Sequence, residues 1–205
     1  MMIKYLVLGI TFAFAAAVQP GPLQTYIISQ TLKNGWRHTL PASFAPLISD
    51  GPILLLVLFL LSTIPENVIN ILRFGGGIFL FYLGYQTFRS WKEYDEAKTV
   101  SGGSGKQTLF KAVFVNLFNP APYLGWSLIM GPLLLEGWAI APVNGLALIF
   151  GFYITMILTI AGIIFLFSFA RKLGPKVTRS MLGLSSIVLI LFGIYQFHAG
   201  ISYYL

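Results

Sequence analysis

Charge is the scarcest property of this 205-residue chain: 9% of its residues are charged, against roughly 25% in an average globular domain. Hydrophobic residues make up 57%, and the mean hydropathy is +0.81. Thirteen basic and six acidic side chains are too few to clothe a soluble protein of this size. That scarcity excludes a soluble domain, and the apolar mass excludes intrinsic disorder. Cysteine is absent, which excludes a disulfide framework, a thiolate metal centre and a thiol redox carrier. Histidine is limited to His38 and His198, both near expected span ends and too isolated for a metal site. There is no Ser/His/Asp set or other cluster of acids, bases and nucleophiles, so an enzyme is not expected, nor a cofactor. A net charge of +7 could suggest nucleic-acid binding. In so apolar a chain it instead marks basic loops beside a membrane, with no nucleic-acid partner expected.

What is present is length of apolar sequence. A bilayer core takes about 20 apolar residues per helix. Six stretches qualify, near Ile3–Thr31, Leu40–Ile64, Asn67–Phe88, Leu109–Leu135, Ala139–Ala170 and Val177–Phe197. None alternates with period two, so helices are expected rather than a membrane barrel. The extended polar segment runs from Arg89 to Lys106 and contains the flexible Ser101–Gly105 stretch. It divides the chain into residues 1–90, a cytoplasmic linker at 91–107, and residues 108–205. Eleven of the thirteen basic residues fall in or beside the first, third and fifth connections, leaving Lys4 and Arg73 on the other side. The basic side is therefore expected in the cytoplasm, with both termini outside. Lys4, an apolar run and Ala15-Ala16-Ala17 resemble a cleavable signal. Hydrophobicity resumes after Pro22, however, and a retained helix explains it.

The halves resemble each other. Gln19-Pro20-Gly21-Pro22 answers Asn119-Pro120-Ala121-Pro122, Gly35-Trp36 answers Gly137-Trp138, and Gly84-Tyr85-Gln86 answers Gly193 with Tyr195-Gln196. Three pairs in the same order suggest duplication. Three spans per half make the repeat inverted, an architecture of many secondary transporters. The alternative is a six-helix scaffold with accidental similarity.

Proline inside a helix removes a backbone hydrogen bond and clashes with the preceding turn. Both paired motifs should break their helices near mid-membrane, and the freed backbone must line a cavity or be buried in protein. Gln19 and Asn119 add amides beside the breaks. Breaks offer helix ends of opposite polarity, which suits a zwitterion. Asp50, in Ser49-Asp50-Gly51-Pro52, is the one acid expected at mid-membrane. It is a candidate proton carrier, cation site or partner of a substrate amine, or else a structural residue bonded to backbone freed near Pro46 or Pro52. Asn116 lies about one turn before Asn119 and shares its face. Arg73 is either an interfacial anchor or the partner of a substrate carboxylate or of Asp50. Gly75-Gly76-Gly77 with Gly84 makes a smooth surface for packing, sliding or a homodimer seam. Trp91, Trp126, Trp138, Tyr203 and Tyr204 include residues expected at membrane interfaces.

These residues carry a family resemblance. Pro20-Gly21-Pro22, the downstream Gly35, Asp50-Gly51, Leu83-Gly84-Tyr85 and Asn116-Leu117-Phe118-Asn119-Pro120 resemble, in that order, the lysine-exporter (LysE/RhtB) family. The resemblance implies a six-span secondary transporter of the cytoplasmic membrane that exports amino acids, some relatives moving other small solutes or cations. Pro20, Gly21, Pro22, Asp50, Asn116, Asn119 and Pro120 match its characteristic positions. Leu23-Gln24-Thr25-Tyr26, Pro46 and Pro52 around Asp50, and the extra Pro122 depart from the common pattern, which bears on substrate more than on fold. The expected transport residues are thus Gln19, Pro20, Gly21, Pro22, Asp50, Asn116, Asn119, Pro120 and Pro122, with Asp50 coupling to protons. A divalent-cation exporter and a non-transporting scaffold are the alternatives. The missing cysteines make the orientation testable. A membrane-impermeant maleimide should label a single Ser202→Cys in intact cells and Ser104→Cys only after permeabilisation; the reverse pattern inverts the topology.

Overall fold

Long apolar runs can satisfy their backbone in hydrocarbon as helices. The computed structural model of the chain, which describes residues 1–60, 66–93 and 104–202, has no strand among the described residues. In order it contains α1 (Met2–Val18), α2 (Pro22–Asn34), the single turn α3 (Trp36–Thr39), a 3-10 stretch (Leu40–Phe44) and α4 (Ala45–Leu60). Then come α5 (Glu66–Lys92), α6 (Gly105–Leu117), α7 (Pro120–Gly125), a π-helical turn (Trp126–Met130), α8 (Gly131–Ile140), α9 (Pro142–Arg171) and α10 (Pro175–Ile201). The end of the second expected span, most of the Ser101–Gly105 stretch, and Tyr203 and Tyr204 lie outside the described residues.

Prolines set the helix starts. Pro22, Pro120, Pro142 and Pro175 each open a helix, where a missing N–H costs nothing and the fixed φ fits. Gly35 (φ 79°) ends α2 in a conformation that disfavours a side chain. Trp36–Leu56 (21 residues), α9 (30) and α10 (27) are long and apolar enough to cross a membrane, and α1 with α2 makes a fourth if that pair, bent by 63°, is one span. Helix α9 exposes Leu158 at 65% and Leu166 at 64%, as a lipid-facing helix would.

Two packing patterns organise the bundle. Helices α5 and α10 run antiparallel in close contact. A side chain on Gly77 would strike Phe197, one on Gly84 would strike Ile190, and one on Gly200 would strike Phe74. The glycine surface of α5 is thus covered by α10 within the chain. Helices α1 and α2 run alongside α9, with Tyr5 against Gly137 just before α9, Gly9 against Leu148 and, just after α2, Trp36 tilted against Phe165 with ring centroids 5.3 Å apart. Segments α3–α4 and α6–α7 form a comparable parallel pair, with Gly105 beside Pro41 and Asn116 bonded to Asp50. One end of the bundle collects Gly35 with Arg171 and Trp91 with Arg179. The other collects Lys4 and Tyr5, both on Glu136, at 3.7 and 2.9 Å.

Overpacking a closely packed contact typically costs about 1–3 kcal/mol. Gly77→Leu should lower the melting temperature of the purified protein sharply. Gly162→Ala, at a position with nothing within 4 Å, should leave it unchanged.

Candidate functional site

The first break leaves the carbonyls of the last turn of α1 without helical partners. The chain runs extended through Gln19 (φ −61°, ψ 125°) and Gly21, and α2 restarts at Pro22. Gln19 N–H still donates to Ala15 O at 3.1 Å. The Gln24 side chain then reaches back, its Nε2 donating to Ala17 O at 3.1 Å and Ala16 O at 3.3 Å. The second break repeats the solution. Helix α6 stops at Leu117, and Asn119 is extended and caps α7 by accepting from Ala121 N–H at 3.1 Å. Tyr123 Oη donates to Leu117 O at 2.9 Å. Each interruption is therefore patched by a polar side chain one turn into the following helix. Gln24, read from the sequence only as a departure from the family pattern, has a structural reason.

Asp50 sits on α4, 2% exposed. Asn116 Nδ2 on α6 donates to Asp50 Oδ1 at 3.0 Å and to Ser49 Oγ at 2.7 Å, using both amide hydrogens. Ser49 Oγ donates to Ala45 O at 2.9 Å. Trp126 Nε1 donates to Asp50 Oδ2 at 3.2 Å. Trp126, expected among the interface aromatics, is instead 2% exposed and holds the carboxylate. It lies in the π-helical turn, whose extra residue re-aims side chains. A tryptophan in an apolar run carries no sequence signal for this role; the wide turn that orients it is a tertiary outcome. The bonds recorded for Asp50 come from these side chains, not from backbone freed near Pro46 or Pro52.

Both breaks and Asp50 open onto one cavity of about 450 Å³, within the roughly 300–1,000 Å³ usual for small-molecule sites. Gln19, Pro20, Gly21 and Pro22 from the first break, Asn119, Pro120 and Pro122 from the second, and Asp50 with Asn116 all line it. All nine residues singled out from the sequence line it. Phe12, Phe152, Met156 and Phe192 supply apolar surface. Arg73 also reaches the cavity. Its Nη1 donates to Asn70 Oδ1 at 3.4 Å, and it has no carboxylate partner among the described residues. Gln196, seen in the sequence only as part of a repeat, is 5% exposed and lines the same cavity with its Oε1 unpaired. A buried acceptor without a donor is costly unless something else fills its need.

The family model described as LysE type translocator matches residues 14–200. The chain belongs to that family. It is also 27% identical over 207 residues to the "Putative amino acid efflux protein YcgF" of Bacillus subtilis (strain 168), covering 98% of this chain and 96% of that one. No solved structure matches it. The chain is a multi-pass membrane protein and a transporter, not an enzyme.

Leaving a buried polar group unpaired costs about 1–3 kcal/mol. Asn116→Leu removes two donated bonds at once and Trp126→Phe one. Both should lower the melting temperature, Asn116→Leu by more. A double variant with Asp50→Leu should recover part of the loss, because the unpaired carboxylate is then gone.

Proposed function

We propose that this protein exports amino acids across the cytoplasmic membrane by alternating access, with the zwitterion held in the large cavity. One observation carries the reading: the same cavity is lined by a buried carboxylate, Asp50, and by a guanidinium, Arg73, that has no carboxylate partner among the described residues. Asp50 and the unpaired Gln196 Oε1 accept from the substrate ammonium, and Arg73 donates to its carboxylate. The frayed ends of α1 and α6 add polar backbone beside it. Asp50 doubles as the proton carrier, exchanging a proton for the amine. The name of the Bacillus subtilis relative supports amino acid efflux as the activity.

The architecture of this reading is six spans in two inverted repeats, residues 1–90 and 108–205, joined by a cytoplasmic linker, with both termini outside. The matched patching of the breaks supports it. So does the packing: a two-fold axis in the membrane plane would exchange the α1–α9 pair with the α6–α4 pair and map α5 onto α10, and each of these pairs is in contact. Rocking one repeat against the other then exposes the cavity to each side in turn. A divalent-cation cargo is the weaker reading, because Asp50 is the one carboxylate on the cavity wall among the described residues, and hard cations take six or more oxygens.

Counterflow of radiolabelled amino acids in proteoliposomes tests the reading. Arg73→Gln should raise KM about tenfold or more, and it should leave unaffected any transport of the corresponding amino acid methyl esters, which lack the carboxylate charge. Asp50→Asn should abolish transport driven by a proton gradient. Unaltered proton dependence in that variant would remove Asp50 from the coupling role.

A further inference from the structure

One helical turn beyond Gln24 on α2, a second and smaller cavity of about 160 Å³ opens at the basic end of the bundle. Tyr26, Ser29 and Lys33 on α2 face Gln86 and Thr87 on α5 and Lys111 on α6 across it. Its lining is almost wholly polar, unlike that of the larger cavity. Two cations meet there. Lys111 Nζ donates to Gln86 Oε1 at 3.0 Å and lies 5.6 Å over the Tyr82 ring, so among the described residues one of its three N–H donors is bonded to an oxygen. Lys33 is half-buried and has no hydrogen-bond or ion-pair partner among the described residues. Glu93, at the end of α5, is held by Arg89 at 2.9 Å. Two ammonium groups sharing a partly desolvated pocket repel each other, and an anion between them removes that cost.

The remaining walls say which anion. Ser29 and Thr87, both buried, spend their hydroxyl protons on Tyr26 O at 2.7 Å and Leu83 O at 2.9 Å. Both residues line the pocket, and hydroxyl oxygens whose protons are spent can only accept, which suits a ligand that also carries donors. We propose that this pocket is a second solute site, which takes the carboxylate of an amino acid between Lys33 and Lys111 before the molecule passes Tyr26 to the Asp50 cavity. Tyr26 lines this pocket, is 1% exposed, and its Oη donates to Thr108 O at 3.5 Å. The passage to Asp50 rests on the export reading; the carboxylate site itself does not.

Because the chain has no cysteine, Ser90→Cys places a single thiol on the pocket wall. The protein is placed in nanodiscs of phosphatidylcholine and labelled with sulfonatoethyl or trimethylammonium-ethyl methanethiosulfonate. Rates are normalised to those of a free thiol. The anionic reagent should react about tenfold faster than the cationic one. An equimolar mixture of neutral amino acids should slow it, and ethylamine or inorganic phosphate should not. The Lys33→Gln/Lys111→Gln pair should lose both effects, and Lys33→Arg/Lys111→Arg should keep them, which separates charge from misfolding. Equal rates for the two reagents, or protection by phosphate as strong as by amino acids, overturns the site. Counterflow by the otherwise unaltered chain is read in parallel. Bias and protection without counterflow would leave the pocket standing and remove the export reading; counterflow without bias would remove the pocket alone.

Discussion

A peptide group in hydrocarbon has no water to bond, and this decides where the two helix interruptions of this protein lie. At each, side chains beyond the break take up freed carbonyls. Ala16, Ala17 and Leu117 would each present a carbonyl with no helical donor, and each receives one from a side chain beyond the break. The residues of both breaks line the cavity. The interruptions, the cavity between them and the polar residues beside it thus follow from a single requirement. Uninterrupted helices would have left no place in the bundle where a polar solute could meet backbone.

The same requirement explains the surroundings of Asp50. A carboxylate among apolar helices needs donors, and Asn116 and Trp126 come from elements on either side of the second break. The break separates α6 from α7, and the π-helical turn after it rotates Trp126 inward. Asp50 on α4 thereby ties together the two segments that the proline motif pulls apart. This is why a buried charge, usually a weak contributor to stability, can fix an arrangement here: its partners lie on different rigid pieces.

Much of this was legible in the sequence because membrane helices follow from composition. Apolar length marks the helices and proline marks the breaks. A lone intramembrane aspartate marks the cavity for the same reason, since its cost forces it inward. What could not be read were the partners. Gln24 and Tyr123 are ordinary helix residues until the chain bends back toward them. Trp126 looks like any aromatic in an apolar run until one turn widens. Gln196 looks like one member of a repeat until α10 packs on α5, whereas Arg73 reads in the sequence as a candidate partner of a substrate carboxylate and does line the cavity. Span ends moved by a few residues for a simpler reason. Helices run on into polar sequence, as α5 does to Lys92, because hydrogen bonding does not stop where hydrophobicity does.

The donors around Asp50 have a directional consequence. Indole N–H can give a hydrogen bond but cannot take one, and it is the bonded neighbour recorded at Oδ2. On the Oδ1 side, Asn116 Nδ2 donates to both Asp50 and Ser49, and Ser49 Oγ can donate to Ala45 O, Pro46 O or Asp50 Oδ1 itself. The lone pairs are therefore ordered in one sense, from α6 and the turn toward α4. A proton arriving at Oδ2 would meet no acceptor in Trp126 and would have to displace the indole or turn toward the open space of the cavity. The network thus offers a proton on Asp50 no onward relay through Trp126, and the side of the carboxyl group left for exchange is the one that lines the cavity.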